Sequence, residues 1–368
     1  MTKLCLGKKA TFSISELRSA ASSVAVLLAL GILGACSSSS ASHLAYIAGG
    51  GQSVFAYRIN NSSGSPTAVL GSPYLAGIAP SSIVVHPSRH FAYVANQGEN
   101  TISLFKIDST TGALTEALPR TNAGISPVAM AMDSAGSFLF VANQGSNSVS
   151  VFSISSSNGA LSEVSGSPYA VGSSPSGLTL TASGNFLFVP VPNFSAIYLF
   201  FVNSGALTQV GAPVLVSDGV STLAADPGGK FLYVPNPTTN TVTAYAIQSS
   251  GTLSTVPGSP FATQTAPVAA AVNLAGTALY VANAGSSNIS QFKIDSTTGA
   301  LTAFTTTTQA SGTNPGFITI DPDGKFVFVG NVGASSVSVL TLNSDGSLAV
   351  TANTIQIGVP PRSVAVTQ

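Results

Sequence analysis

The side chains of this sequence that can do chemistry are few, and most recur in register. His86, Asp133, Asp226 and Asp321 share one repeated slot, and Thr181 and Asn273 fill it elsewhere. A slot that takes His, Asp, Thr or Asn in turn behaves as a turn position, where a short polar group bonds nearby backbone. Asp321-Pro322-Asp323-Gly324 opens like a calcium loop. It lacks the later ligands, including the closing Glu, and reads as a turn. Asn96, Asn143, Asn236, Asn283 and Asn331 each end an apolar run, and Asn100, Asn147, Asn240 and Asn288 follow shortly after. Neutral amides hold metals poorly without carboxylates, so both sets read as turn formers. The sequence has no phosphate-binding glycine loop, nucleophile elbow or zinc motif, and implies no metal or cofactor.

The elements that must position these residues repeat. An apolar run carrying one aromatic residue recurs at Tyr46, Tyr93, Phe140, Phe188, Tyr233, Tyr280 and Phe328, in steps of 45 to 48 residues. After each comes a loop and then an alternating segment, such as TISLFKI (101–107) or SVSVFSI (148–154), the pattern of a half-buried strand. A glycine turn, a short fourth strand and a Pro-led strand complete the unit. The peptide FKIDSTTGALT stands at 105–115 and again at 292–302, four periods apart. Four short antiparallel strands repeated seven times predict an all-β, seven-bladed β-propeller. The chain starts on the aromatic strand and stops on a Pro-led one. The last strand therefore completes the first blade and closes the ring.

The 368 residues are 45% hydrophobic and only 7% charged. So few cations exclude nucleic acid as a partner, and so much apolar material excludes a disordered chain. Residues 1–35 read as a leader, with Lys3, Lys8, Lys9 and Arg18 before the apolar run at 24–33. Leu33-Gly34-Ala35-Cys36 resembles the bacterial lipobox, which implies a diacylglycerol on Cys36. Residues 36–42 then form a Ser-rich tether and 43–368 the propeller. The leader removes four cations and one anion, leaving eight and eleven, a net of −3. Without Cys5 and Cys36 there is no thiol chemistry.

The YVAN-type strands, the PDGKF turn (322–326) and the STTGAL hairpins resemble the YVTN repeats of bacterial surface propellers. They equally resemble the lactonase-like propellers, whose named activity is 6-phosphogluconolactonase. The resemblance covers about residues 43–368. It places an active site at the channel mouth, where the inner strands start, with Arg and His beside a Pro. Here only Arg362 matches that pattern, and Ser363 stands where the His would be. Asp218 is the other mouth candidate. As a pair they would supply a base and an oxyanion donor, although several blades apart. The remaining mouth candidates are Arg120, Ser81, Ser82, Ser176, Ser221, Thr222, Phe317 and Ser363.

The expectation is a lipid-anchored, exported envelope protein, monomeric, at the outer membrane if the cell is Gram-negative. Its neutral mouth reads as a binding module for a glycan, a sugar acid or a protein. A lactone hydrolase of 6-phosphogluconolactonase type is the alternative, and a structural or adhesive surface protein the third reading.

Overall fold

The computed structural model describes residues 42–367, apart from 217, 218, 221 and 352, and leaves the side chains of 306 and 307 undescribed. Residues 40–368 form one compact unit. The leader, the lipobox and Cys36 lie outside the described residues.

Seven antiparallel sheets make the ring, each with four strands, in chain order from the centre outward in all but the first. Five of them add a short extra piece on the third strand, as Tyr169–Ala170 does on Ser148–Ile154. Blade 2 is typical, with Pro80–Val85, Phe91–Asn96, Thr101–Ile107 and Leu114–Asn122. Blade 1 takes its inner strand, Pro361–Val366, from the far end of the chain, paired antiparallel with Ser42–Gly49. The inner strands touch in succession around the ring, and Pro361–Val366 touches both Pro80–Val85 and Pro315–Ile320. The ring closes as the sequence predicts.

Second strands such as Phe91–Asn96 are buried along their whole length, because each is sandwiched between two neighbouring blades. Side chains alternate between those neighbours. In Ser42–Gly49, Tyr46 and Ala48 pack towards blade 2, while Ala45 and Ile47 pack towards blade 7. The core is therefore seven interfaces, one between each pair of blades. This explains why the second strands read as continuous apolar runs.

The repeated peptide has its reason at these interfaces. The Tyr46 hydroxyl donates to the carbonyl of Gly112, 66 residues on, in the hairpin turn of the next blade. Tyr93, Tyr233 and Tyr280 do the same to Gly159, Gly299 and Gly346. A turn that must receive a neighbour's hydroxyl is held to one shape, and FKIDSTTGALT recurs in blades 2 and 6. Gly112 has φ +77°, and a Cβ there would sit 2.3 Å from Leu44. Only glycine suits both demands.

The GSP loops are also accounted for. The Ser72, Ser167 and Ser259 hydroxyls accept the backbone N–H of Ala56, Val151 and Ala244, all on third strands. They complete the outer edge beyond the end of each short fourth strand. Blade 4 departs most from the repeat. Its inner strand shrinks to Thr179–Leu180, and Val191 replaces the strand-ending Asn.

Candidate functional site at the channel mouth

Each inner strand starts at the face that carries the loops joining second to third strands. In five blades the first residue of this strand is Pro80, Pro127, Pro267, Pro315 or Pro361, and the register breaks immediately after it. The bulged residues are Ser81, Val128, Val268, Gly316 and Arg362. A bulge re-aims one side chain, and bulges collect beside functional sites. Arg362 occupies this slot, is exposed, and makes no hydrogen bond or ion pair among the described residues. It is also the only charged residue on the described inner strands.

The mouth hydroxyls are engaged elsewhere. Ser81 Oγ donates to the Pro127 carbonyl at 2.7 Å, and buried Ser82 Oγ accepts the Met130 N–H. Thr179 and Thr222 donate to the carbonyls of Leu223 and Val268. Ser363 Oγ accepts from Ile83 N–H at 3.4 Å. Every one of these bonds crosses to the next inner strand. Ser176 turns back on its own blade, with its N–H on the Pro190 carbonyl at 3.0 Å. Phe317 lies against Gly330, where a Cβ would meet its ring. Apart from Ser176, the described Ser and Thr of the mouth thus stitch the ring.

Arg120 stands apart, on the outer strand of blade 2. Its Nε and Nη2 donate to Glu116 at 2.7 and 3.2 Å, and its Nη1 to Glu99 at 2.8 Å. The bond to Glu116, reinforced by Glu99, outweighs burial and raises the guanidinium pKa further. The group is a clamp between the outer strand and the mouth loop. Asp218 and Ser221 lie outside the described residues.

The strand-ending Asn residues do more than form turns. Asn96, Asn143, Asn236, Asn283 and Asn331 are completely buried. Asn96 Nδ2 donates to the hydroxyls of Thr101 and Ser103, and its Oδ1 accepts the Gly77 N–H. Asn331 repeats this with Ser336, Ser338 and Gly312. At these two positions the side chain clips the loop entering the inner strand to the third strand, whereas the Oδ1 atoms of Asn143, Asn236 and Asn283 have no partner among the described residues. The signal was present in the sequence, as a hydroxyl or amide five residues and a hydroxyl seven residues after each Asn. The second set behaves as expected at three positions. Asn100, Asn147 and Asn240 adopt left-handed backbone, and their Oδ1 atoms accept from Ser126, Ser174 and Ala266 in the next loop. Asn288 instead belongs to a strand, and Ser287 takes the left-handed position.

On the opposite face the His86 slot is a turn position, as expected. Asp321 Oδ1 accepts from Lys325 and Phe326 N–H, both at 2.7 Å, and Asp226 and Asn273 act likewise. His86 Nδ1 accepts from Ser88 N–H, which leaves Nε2–H to donate to the Gly136 carbonyl of the next blade. Sequence reasoning missed His43. It is buried at the ring junction, with Nδ1–H on the Thr367 carbonyl at 2.7 Å. Its Nε2 faces Asp323 at 3.2 Å and Asp321 at 3.5 Å. Some 280 residues separate these partners, and only ring closure joins them.

Fold and mouth together define a seven-bladed propeller with bulged, Pro-led inner strands. Residues 54–175 and 217–315 match the model of the lactonase family of seven-bladed β-propellers. The chain belongs to this family. The interval between the two segments contains the irregular blade 4. No curated protein matches the sequence. Among solved structures, a proposed 6-phosphogluconolactonase from Bacteroides fragilis is 21% identical with a TM-score of 0.78, over 90% of this chain and 99% of its own. The periplasmic gluconolactonase of Pseudomonas aeruginosa is 18% identical with a TM-score of 0.75, over 89% and 99%. At these identities the likeness is one of fold.

Proposed function

We propose that this chain is a lipid-anchored propeller of the bacterial cell envelope that binds a sugar acid at its channel mouth through Arg362. The observation that carries the reading is the exposed Arg362 guanidinium on a bulge, without a partner among the described residues, in a ring whose described hydroxyls are engaged. A guanidinium matches a carboxylate in geometry as well as charge. The anchor rests on the lipobox at 33–36. Mass spectrometry of the mature N-terminus should find a diacylglyceryl adduct on Cys36 that disappears in Cys36→Ser.

Family membership favours a second reading, lactone hydrolysis. Arg362 would then stabilise the oxyanion formed as water attacks the ring carbonyl, and Asp218 would take the water's proton. A lactone panel including 6-phosphogluconolactone, together with the matching sugar acids, separates the two using residues 37–368. Sugar-acid binding lost in Arg362→Ala, with hydrolysis at the spontaneous rate, supports the binding module. Turnover that collapses in Arg362→Ala would instead establish the hydrolase. No binding and no turnover would reject both.

A further inference from the structure

Arg89 breaks the pattern of its own repeat. The equivalent slot holds Gly136, Gly184, Gly229, Gly276 and Gly324 in five other blades, all at positive φ. Arg89 keeps the same left-handed backbone at φ +62°. Its side chain is exposed. What the substitution places is a guanidinium at the meeting of two cavities on the face opposite the mouth.

One of these is a cavity of about 290 Å³ between blades 1 and 2. Arg58, Arg89 and His90 line it with the hydroxyls of Ser42, Ser88 and Ser109, and no carboxylate does among the described residues. Asp108, the adjoining acid, is turned into its own loop, where it accepts from the N–H groups of Thr110 and Thr111. That bonding holds its carboxyl below the usual carboxylate range. Arg58 is oriented by the Thr110 carbonyl and the Ser42 hydroxyl. A guanidinium has five donors, so this orientation leaves capacity for a ligand.

We propose that this pocket binds a phosphate group. Two guanidinium forks, an imidazole and three hydroxyls around a small cavity suit a compact oxyanion with several acceptors. The phosphate has two possible sources, a soluble phosphate ester or a lipid headgroup. The second connects with the proposed anchor, because Ser42 lies six residues after Cys36. At full extension that is about 22 Å, so a lipid on Cys36 holds this face towards the bilayer. The pocket itself does not depend on the anchor or on the mouth reading.

The test uses residues 37–368 at physiological salt. Calorimetry measures inorganic phosphate and glucose 6-phosphate. Co-sedimentation measures vesicles of phosphatidylglycerol against phosphatidylcholine alone. Binding in either arm should weaken at least tenfold in Arg89→Gly and in Arg58→Gln, and stay unchanged in Arg362→Ala. A signal with the soluble phosphates identifies the first source, and one confined to phosphatidylglycerol the second. Arg89→Gly installs the residue that the other blades carry, so misfolding does not confound it. Absence of binding in both arms, or binding that Arg89→Gly leaves intact, overturns the proposal.

Discussion

Replacing Asn96 with Ala should destabilise the propeller more than the same change at Asn143. Asn96 makes three hydrogen bonds of 3.0 to 3.1 Å from a completely buried position. Each contributes about 0.5–1.5 kcal/mol net. The change also strands the Gly77 N–H, an orphaned donor costing about 1–3 kcal/mol. Counting the two bonds to hydroxyls and the stranded Gly77 donor once each, these predict a loss of about 2–6 kcal/mol. At Asn143 the Oδ1 atom has no partner, and Nδ2 reaches Ser150 at 3.0 Å but Ser148 only at 3.4 Å. Its loss should be about 1–3 kcal/mol. Urea unfolding followed by circular dichroism measures both, with the slope checked for a constant exposed area. Equal losses at the two positions, or an Asn96→Ala protein as stable as the parent, would refute the role of Oδ1 as the loop clip.

Three further outcomes follow from the same contacts. Tyr46→Phe should cost about 1 kcal/mol in the same urea assay, since it removes one hydrogen bond and keeps a ring that Phe140 supplies in an equivalent slot. Burial pushes the hydroxyls of Tyr46, Tyr93, Tyr233 and Tyr280 far above their ordinary range. The folded state therefore binds these protons more tightly. Stability is full below about pH 10 and declines as pH rises further, because only the unfolded chain ionises readily. Absorbance at 295 nm should show these four tyrosines ionising only as the fold is lost, and free titration near pH 10 in the folded protein would contradict the burial. Arg89→Gly should stabilise the fold by about 1 kcal/mol by relieving left-handed strain, read as a higher urea midpoint.

The sequence by itself determined the ring. A period near 47, the glycine hairpins and the Pro-led strands are local signals, repeated often enough to specify seven blades and the closing role of residues 361–366. It also placed Arg362 in a mouth slot and the His86 slot in turns. The tertiary structure decided how the polar groups are used. Whether Ser81 or Thr222 faces a ligand or a neighbouring carbonyl depends on the approach of the next inner strand, which no single repeat encodes. The Tyr46–Gly112 bond and the cross-loop bonds of Asn100 also join different blades. His43 meets Asp321 only because the two ends of the chain come together. Arg58 and Arg89 line one cavity only because blades 1 and 2 pack side by side. Periodicity describes a blade, whereas chemistry here arises where blades meet, and those distances exist only once the ring has closed.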